Sequence, residues 1–159
     1  MEIKAGEIVF IDTNILLTAT NEARQHCQIA RDLIIAHHRR GLHLGISGQI
    51  IREYMVVATR PSQANGLGLS PNDTIQNVDE FRKRLLFFPE TEEVSNELRV
   101  LINKYRLSGT RIHDANVAAT MLAHGVTKLI TENTGDFSAF SMIQTFDLSM
   151  IHRIIGSST

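Results

Sequence analysis

The chain has 159 residues, 43% of them hydrophobic and 21% charged, with a formal net charge of −1. That length suits one domain whose core needs no disulfide, and the lone Cys27 cannot form one internally, so a reducing, cytoplasmic setting is expected. No signal-peptide pattern opens the chain and no apolar run reaches the ~18 residues of a spanning helix, so no membrane partner is expected; a charge near zero also gives no global attraction to a polyanion.

In chain order, Ile8–Val9–Phe10–Ile11 is a continuous apolar run, the pattern of a strand buried on both faces. It stops at Asp12–Thr13–Asn14, and Ile15, Leu16 and Leu17 begin a helix. A second helix is expected over 22–40, with Ala23, Cys27, Ala30, Leu33, Ile34 and His37 near one face and Gly41 just beyond its end. Residues 42–46 form a second strand, and Ser47 caps a third helix over 48–59. Two glycines make 61–69 the expected flexible loop, and Ser70–Pro71–Asn72–Asp73 then opens a helix to about Leu86. Phe87–Phe88 is a brief strand before Pro89. Thr91 caps a helix to about Arg106, and Thr110 caps another over 111–124, closed by Gly125. A strand over 128–131, a loop over 132–136 and a last short strand within 143–148 follow, and residues 156–159 should fray. Strands separated by helices predict an α/β sandwich with a mostly parallel sheet, in a single domain spanning 1–159.

Ligands of an open parallel sheet bind beyond the carboxyl ends of its strands, where strand order reverses. Asp12 and Asp136 each follow a predicted strand, and Asp114 lies in the first turn of the helix that feeds the strand at 128–131. Glu53 sits one turn from both Ile50 and Val57, at the margin of an apolar helical stripe. Half-buried acids side by side repel one another unless a cation neutralises them, and Mg²⁺, which prefers oxygen ligands, suits such a cluster. Each acid also fits a plainer role. Asp12 can cap a helix, Asp114 can complement a helix dipole, Asp136 can shape a turn, and Glu53 can pair with Arg52 or Arg60. The basic clusters at 37–40 and 82–84, and Arg111 with His113, read individually as solvated helix ends. His113 and Cys27 likewise read as structural.

At these residues the chain resembles the PIN-domain family, and within it the VapC-type toxins of bacterial toxin–antitoxin pairs. The matching pieces are Val9–Phe10–Ile11–Asp12–Thr13–Asn14, Ser47 with Ile51–Arg52–Glu53–Tyr54, Arg111–Ile112–His113–Asp114–Ala115, and Leu129–Ile130–Thr131–Glu132–Asn133 ending in Asp136–Phe137. Together they span about residues 7–148. The resemblance implies a three-layer α/β/α fold with a central, mostly parallel sheet and an acidic pocket for Mg²⁺ or Mn²⁺. It implies endonucleolytic cleavage of RNA, a homodimer and a cognate antitoxin. Asp12, Glu53, Asp114 and Asp136 fall on the family's four acidic positions, while Asn14, Thr131 and Asn133 match its polar supporting positions. The inserted Thr134–Gly135 before Asp136 departs from the family pattern.

The chemistry so implied is hydrolysis by water, leaving a 5′-phosphate and a 3′-hydroxyl. Asp12, Asp114 and Asp136 stand as metal ligands, Glu53 as the group that orients or deprotonates water, and Arg111, Arg39 and Arg40 as contacts to flanking phosphates. The alternative is a catalytically silent PIN-like module that binds RNA or protein. A haloacid-dehalogenase-type phosphotransferase would need an Asp where Asn14 stands, and a response-regulator receiver needs an acidic pair at the end of its first strand.

Overall fold

The computed structural model describes residues 2–156. Five strands, β1 (Ile8–Ile11), β2 (His43–Ser47), β3 (Leu86–Phe88), β4 (Lys128–Ile130) and β5 (Gln144–Phe146), form one sheet in the order β3-β2-β1-β4-β5. Every neighbouring pair is parallel, with Val9 beside Leu44 and Phe10 beside Leu129. Val9, Phe10 and Ile11 are fully buried, as a central strand covered on both faces demands.

Among the described residues seven helices cover the sheet: α1 (Thr13–Thr20), α2 (Cys27–Ala36), α3 (Gly48–Thr59), α4 (Pro71–Arg84), α5 (Glu92–Tyr105), α6 (Arg111–Ala123) and α7 (Leu148–Gly156). Helices α1 to α4 pack on one another, with α7 against α2, while α5 and α6 pair separately as the second layer. The expected three-layer α/β/α architecture is therefore the observed one, with the core in the seams between sheet and helices. Among the described residues no helix is long and apolar enough to cross a membrane.

The differences from the sequence reading have local causes. Residues 22–26 are turns rather than helix, because the Asn21 side chain accepts from the Ala23 amide and the chain bends through Arg24 N to Asn21 O. Helix α2 thus begins at Cys27, and Ala23 is exposed rather than on the buried face. At its other end the chain tightens into a 3-10 turn, His37–Arg40, closed by left-handed Gly41. His37 lies buried there, with its ring nitrogens 2.9 Å from the Leu42 carbonyl and 3.1 Å from that of Arg84.

The stretch 61–69 does not hang free. Amides of Leu67, Gly68 and Leu69 donate to the carbonyls of Val57, Arg60 and Ala58, satisfying acceptors that the end of α3 leaves open. The fold-back needs a glycine, since a Cβ on Gly66 would lie 1.9 Å from the Arg60 carbonyl oxygen. Thr110 does not cap α6 through its side chain. Its backbone is already right-handed helical in a turn entered by left-handed Gly109. Helix α7 was not anticipated; Asp147 caps it, accepting from Ser149 Oγ at 2.6 Å and Met150 N at 2.8 Å. Of the residues expected to fray, Gly156 ends α7, and 157–159 lie outside the described residues.

Gly45 in β2 lies under the rings of Phe10 and Phe88, whose centroids are 5.7 Å apart. A Cβ there would stand 2.6 Å from Phe88 Cε2. Gly45→Ala is expected to lower unfolding stability by about 1–3 kcal/mol through overpacking. Urea unfolding with an unchanged slope checks this; an unshifted midpoint would mean that the rings have room to move.

Candidate active site

The sheet order reverses at β1. The chain steps outward from β1 to β2 and β3, then returns to place β4 on the other side. The switch point between β1 and β4 is where a doubly wound sheet opens a crevice at its carboxyl edge. Asp12 stands at that point, and its amide extends the ladder by donating to the Ile130 carbonyl at 3.0 Å.

The Asp12 carboxylate is held from three directions. Oδ1 accepts from the Thr13 amide at 2.8 Å as the cap of α1, while Oδ2 accepts from Thr131 Oγ1 at 2.8 Å and Asn14 Nδ2 at 3.1 Å. Asn14 also donates to Thr131 Oγ1 and accepts from the Glu132 amide, so one side chain ties α1 to the end of β4. Capping α1 and standing at the switch point are thus one arrangement rather than alternatives. Asn133 contributes through its backbone amide, which donates to Thr131 Oγ1, while its side chain is exposed.

Glu53 pairs with neither Arg52 nor Arg60. Its Oε2 accepts from Thr13 Oγ1 at 2.9 Å and its Oε1 from Gln49 Nε2 at 2.7 Å. Gln49 is a residue the sequence reading passed over. It is 1% exposed, and its Nε2 also donates to the His113 carbonyl, next to Asp114, at 3.0 Å. Its Oε1 accepts from Asn116 Nδ2 at 2.6 Å, and Glu90 accepts from both the Gln49 amide and Asn116. This network fixes α3 to α6, and hence Glu53 to Asp114. The available signal was helical spacing: Gln49 stands one turn before Glu53.

Asp114 lies in the first turn of α6, half-buried, and Asp136 lies exposed in a 3-10 turn, Thr134–Phe137. No described residue donates a hydrogen bond to either side chain. Burial pushes Asp114 up to about 6, and the charges of Asp136, Asp12 and Glu53 push the same way against a smaller opposing effect of Arg111. Burial is also the largest cause raising Asp12, followed on that side by Glu53 and Asp136, with Thr131 and Thr13 opposing. The inserted Thr134–Gly135 therefore does not carry Asp136 out of range of the others. The four acids share one electrostatic neighbourhood, though among the described residues no three His, Cys, Asp or Glu side chains already form a group that would hold a metal ion.

Beside this edge, Thr18 Oγ1 donates to Glu132 Oε2 at 2.9 Å and accepts from Arg24, two further residues the sequence reading did not single out. His113 has an exposed side chain, and only its carbonyl joins the network. Arg111 is exposed at the start of α6. Arg39 and Arg40 are exposed in the 3-10 turn that precedes β2, which puts them at the opposite, amino edge of the sheet.

The PIN domain family model matches residues 9–141. Ribonuclease VapC24 of Mycobacterium tuberculosis, in two strains, is 32% identical over 143 residues, covering 86% of this chain and 94% of that protein. Among solved structures, VapBC-1 from nontypeable Haemophilus influenzae matches with a TM-score of 0.66 at 18% identity, covering 90% of this chain and 99% of that one. VapBC2 from Rickettsia felis, bound to a DNA fragment from its promoter, matches with a TM-score of 0.63 at 18% identity, covering 89% and 98%. The structural likenesses establish the shared fold, and the sequence matches establish kinship. The chain belongs to the PIN-domain family and is related to the VapC-type toxin–antitoxin ribonucleases.

Proposed function

We propose that this chain is a Mg²⁺- or Mn²⁺-dependent endoribonuclease, the toxin of a toxin–antitoxin pair, acting as a homodimer. The observation that carries the chemistry is the excess of negative charge at the β1–β4 switch point, where burial and neighbouring acids raise both Asp12 and Asp114. Uncompensated carboxylates on a half-buried edge are a donor set suited to a hard divalent cation. Asp12 and Asp114 would hold it, with Asp136 as a third ligand. When bound, the ion supplies positive charge beside the phosphodiester oxygens and makes nearby water more acidic.

The chain's own residues supply orientation. Thr13, Asn14 and Thr131 fix the Asp12 carboxylate, leaving its remaining acceptor capacity directed by the cap. Thr13 and Gln49 fix Glu53, which accepts the proton of the attacking water. Attack by water leaves a 5′-phosphate and a 3′-hydroxyl. Arg111 offers a phosphate contact beside Asp114. The kinship with ribonuclease VapC24 supports RNA as substrate, and the likeness to a toxin–antitoxin complex from Klebsiella pneumoniae supports an antitoxin partner.

Purified protein is expected to cleave mixed RNA only with Mg²⁺ or Mn²⁺, and Asp12→Asn with Asp114→Asn to abolish both cleavage and calorimetric Mn²⁺ binding. Undiminished cleavage by the folded double variant would sink the metal-site reading. A wild-type chain that binds RNA without cutting it would instead favour the silent PIN-like module. Gln49→Leu, similar in bulk but without its hydrogen bonds, is expected to lower kcat about 10–100-fold with KM little changed. An unaltered kcat in that variant would remove Gln49 from the account.

The pH dependence has a definite sign. Asp114 titrates at about 6 in the folded chain against an ordinary 3.8, so the metal-free fold binds that proton more tightly than the unfolded chain. Its ionisation therefore destabilises the fold progressively as pH rises through that window. The melting temperature of metal-free Asp114→Asn is expected to exceed that of wild type by a margin that grows between pH 3.8 and 6. A margin constant across that window would show that Asp114 is unperturbed.

A further inference from the structure

Helix α5 buries one side, with Val94 and Leu101 in the core and Leu98 and Tyr105 packed against it. Its other side presents Asn96, Arg99, Val100 and Asn103 to solvent, and Arg106 follows in left-handed conformation at φ 53°. These residues, with Leu107, border a shallow hollow of about 850 Å³. Among the described residues, neither Arg99 nor Arg106 has an acidic partner within ion-pair distance. Their seven-position separation corresponds to about 10 Å along a helix axis.

The C-terminal end of α5 leads to the acidic edge. The ring of Tyr105, the last residue of α5, lies 5.5 Å from that of Phe140, just beyond the turn that carries Asp136. Five residues after Arg106, Arg111 opens α6 and acts on Asp114. The basic segment at 82–84 differs in both place and pairing. Residues 82–84 end α4 ahead of β3, at the amino edge of the sheet. Lys83 and Arg84 there are paired with Glu80, and Arg82 sits over the Phe87 ring.

We infer that the exposed face of α5, through Arg99 and Arg106, is the track on which single-stranded RNA lies beside the cleaved bond, an assignment that rests on the nuclease reading above. Charge complementarity selects this occupant. Two-fold pairing of α5 with a second copy would set the same arginines against one another, whereas a phosphodiester strand neutralises them. Asn96 and Asn103 offer donors and acceptors to bases, and Val100, 57% exposed, offers an apolar surface between the arginines.

The test measures binding rather than cleavage. In the Asp12→Asn/Asp114→Asn background, a fluorescein-labelled, mixed-sequence single-stranded RNA is titrated by anisotropy at several salt concentrations. Arg99→Glu with Arg106→Glu is expected to weaken binding at least tenfold and to reduce the salt slope by about 1.4, the value for two lost single-strand phosphate contacts. The milder Arg99→Gln/Arg106→Gln pair should lie between, which guards against disturbance of the left-handed Arg106. Arg82→Glu with Lys83→Glu, an equal change of charge at the opposite edge, should shift binding less than twofold. Equal losses for the two reversed pairs would mean that overall charge holds the RNA, and no loss for the α5 pair would mean that it lies elsewhere; either overturns the proposal. So would conversion of a dimer to a monomer by the α5 pair in sedimentation, which assigns the face to a second copy. Cleavage by the unsubstituted protein with α5 variants that bind normally defeats only this track. Failure of the unsubstituted protein to cleave defeats the nuclease reading and leaves the binding comparison to decide the track.

Discussion

Keeping carboxylates close together against their mutual repulsion is the constraint on which this molecule is organised. Asp12 and Asp114 both sit in conditions that favour the protonated form, from burial first and neighbouring acids second. What holds Asp12 and Glu53 in place is neutral: Thr13, Asn14, Thr131 and Gln49 supply donors without charge. Cationic partners would offset the repulsion but would also cancel the negative potential that a cation site needs. Neutral donors position the acids and leave their charge available.

Those donors work because they are themselves fixed by the fold. Thr131 is fully buried at the end of β4, Gln49 is nearly so at the start of α3, and Thr13 opens α1. Thr13 and Gln49 belong to helices and Thr131 directly follows β4, so the bonds Thr13–Glu53, Thr131–Asp12 and Gln49–His113 cross between elements. The Gln49–Asn116–Glu90 network does this across the sheet's two helical layers, setting Glu53 on α3 against Asp114 on α6. The exposed Asp136, in its 3-10 turn, has no such donor.

The two helical layers play unequal parts. Helices α1 to α4 enclose the larger share of the core, and the fold-back of residues 67–69 satisfies carbonyls at the end of the Glu53 helix. Helices α5 and α6 form a hairpin whose near end carries Asp114 and whose outer face stays open. The acidic edge therefore sits between a packed side and an accessible one.

By itself the sequence determined the strand and helix order, the parallel sheet, the placement of Asp12, Asp114 and Asp136 at or beside element ends, and that of Glu53 at the margin of a buried helical stripe, because apolar periodicity and capping residues are local signals. The same signals misread 22–26 as helix and could not show that the loop 61–69 folds back on α3, since an Asx turn at Asn21 and a fold-back permitted by Gly66 act through specific hydrogen bonds. Only the tertiary structure decided that the four acids influence one another, that Asp136 stays within range despite Thr134–Gly135, and that residues 37–40 lie at the far edge. It alone picked out Gln49, whose partners Glu90, His113 and Asn116 are 41, 64 and 67 residues away. Contacts at that separation follow from how strands order themselves in the sheet, which local patterning does not encode.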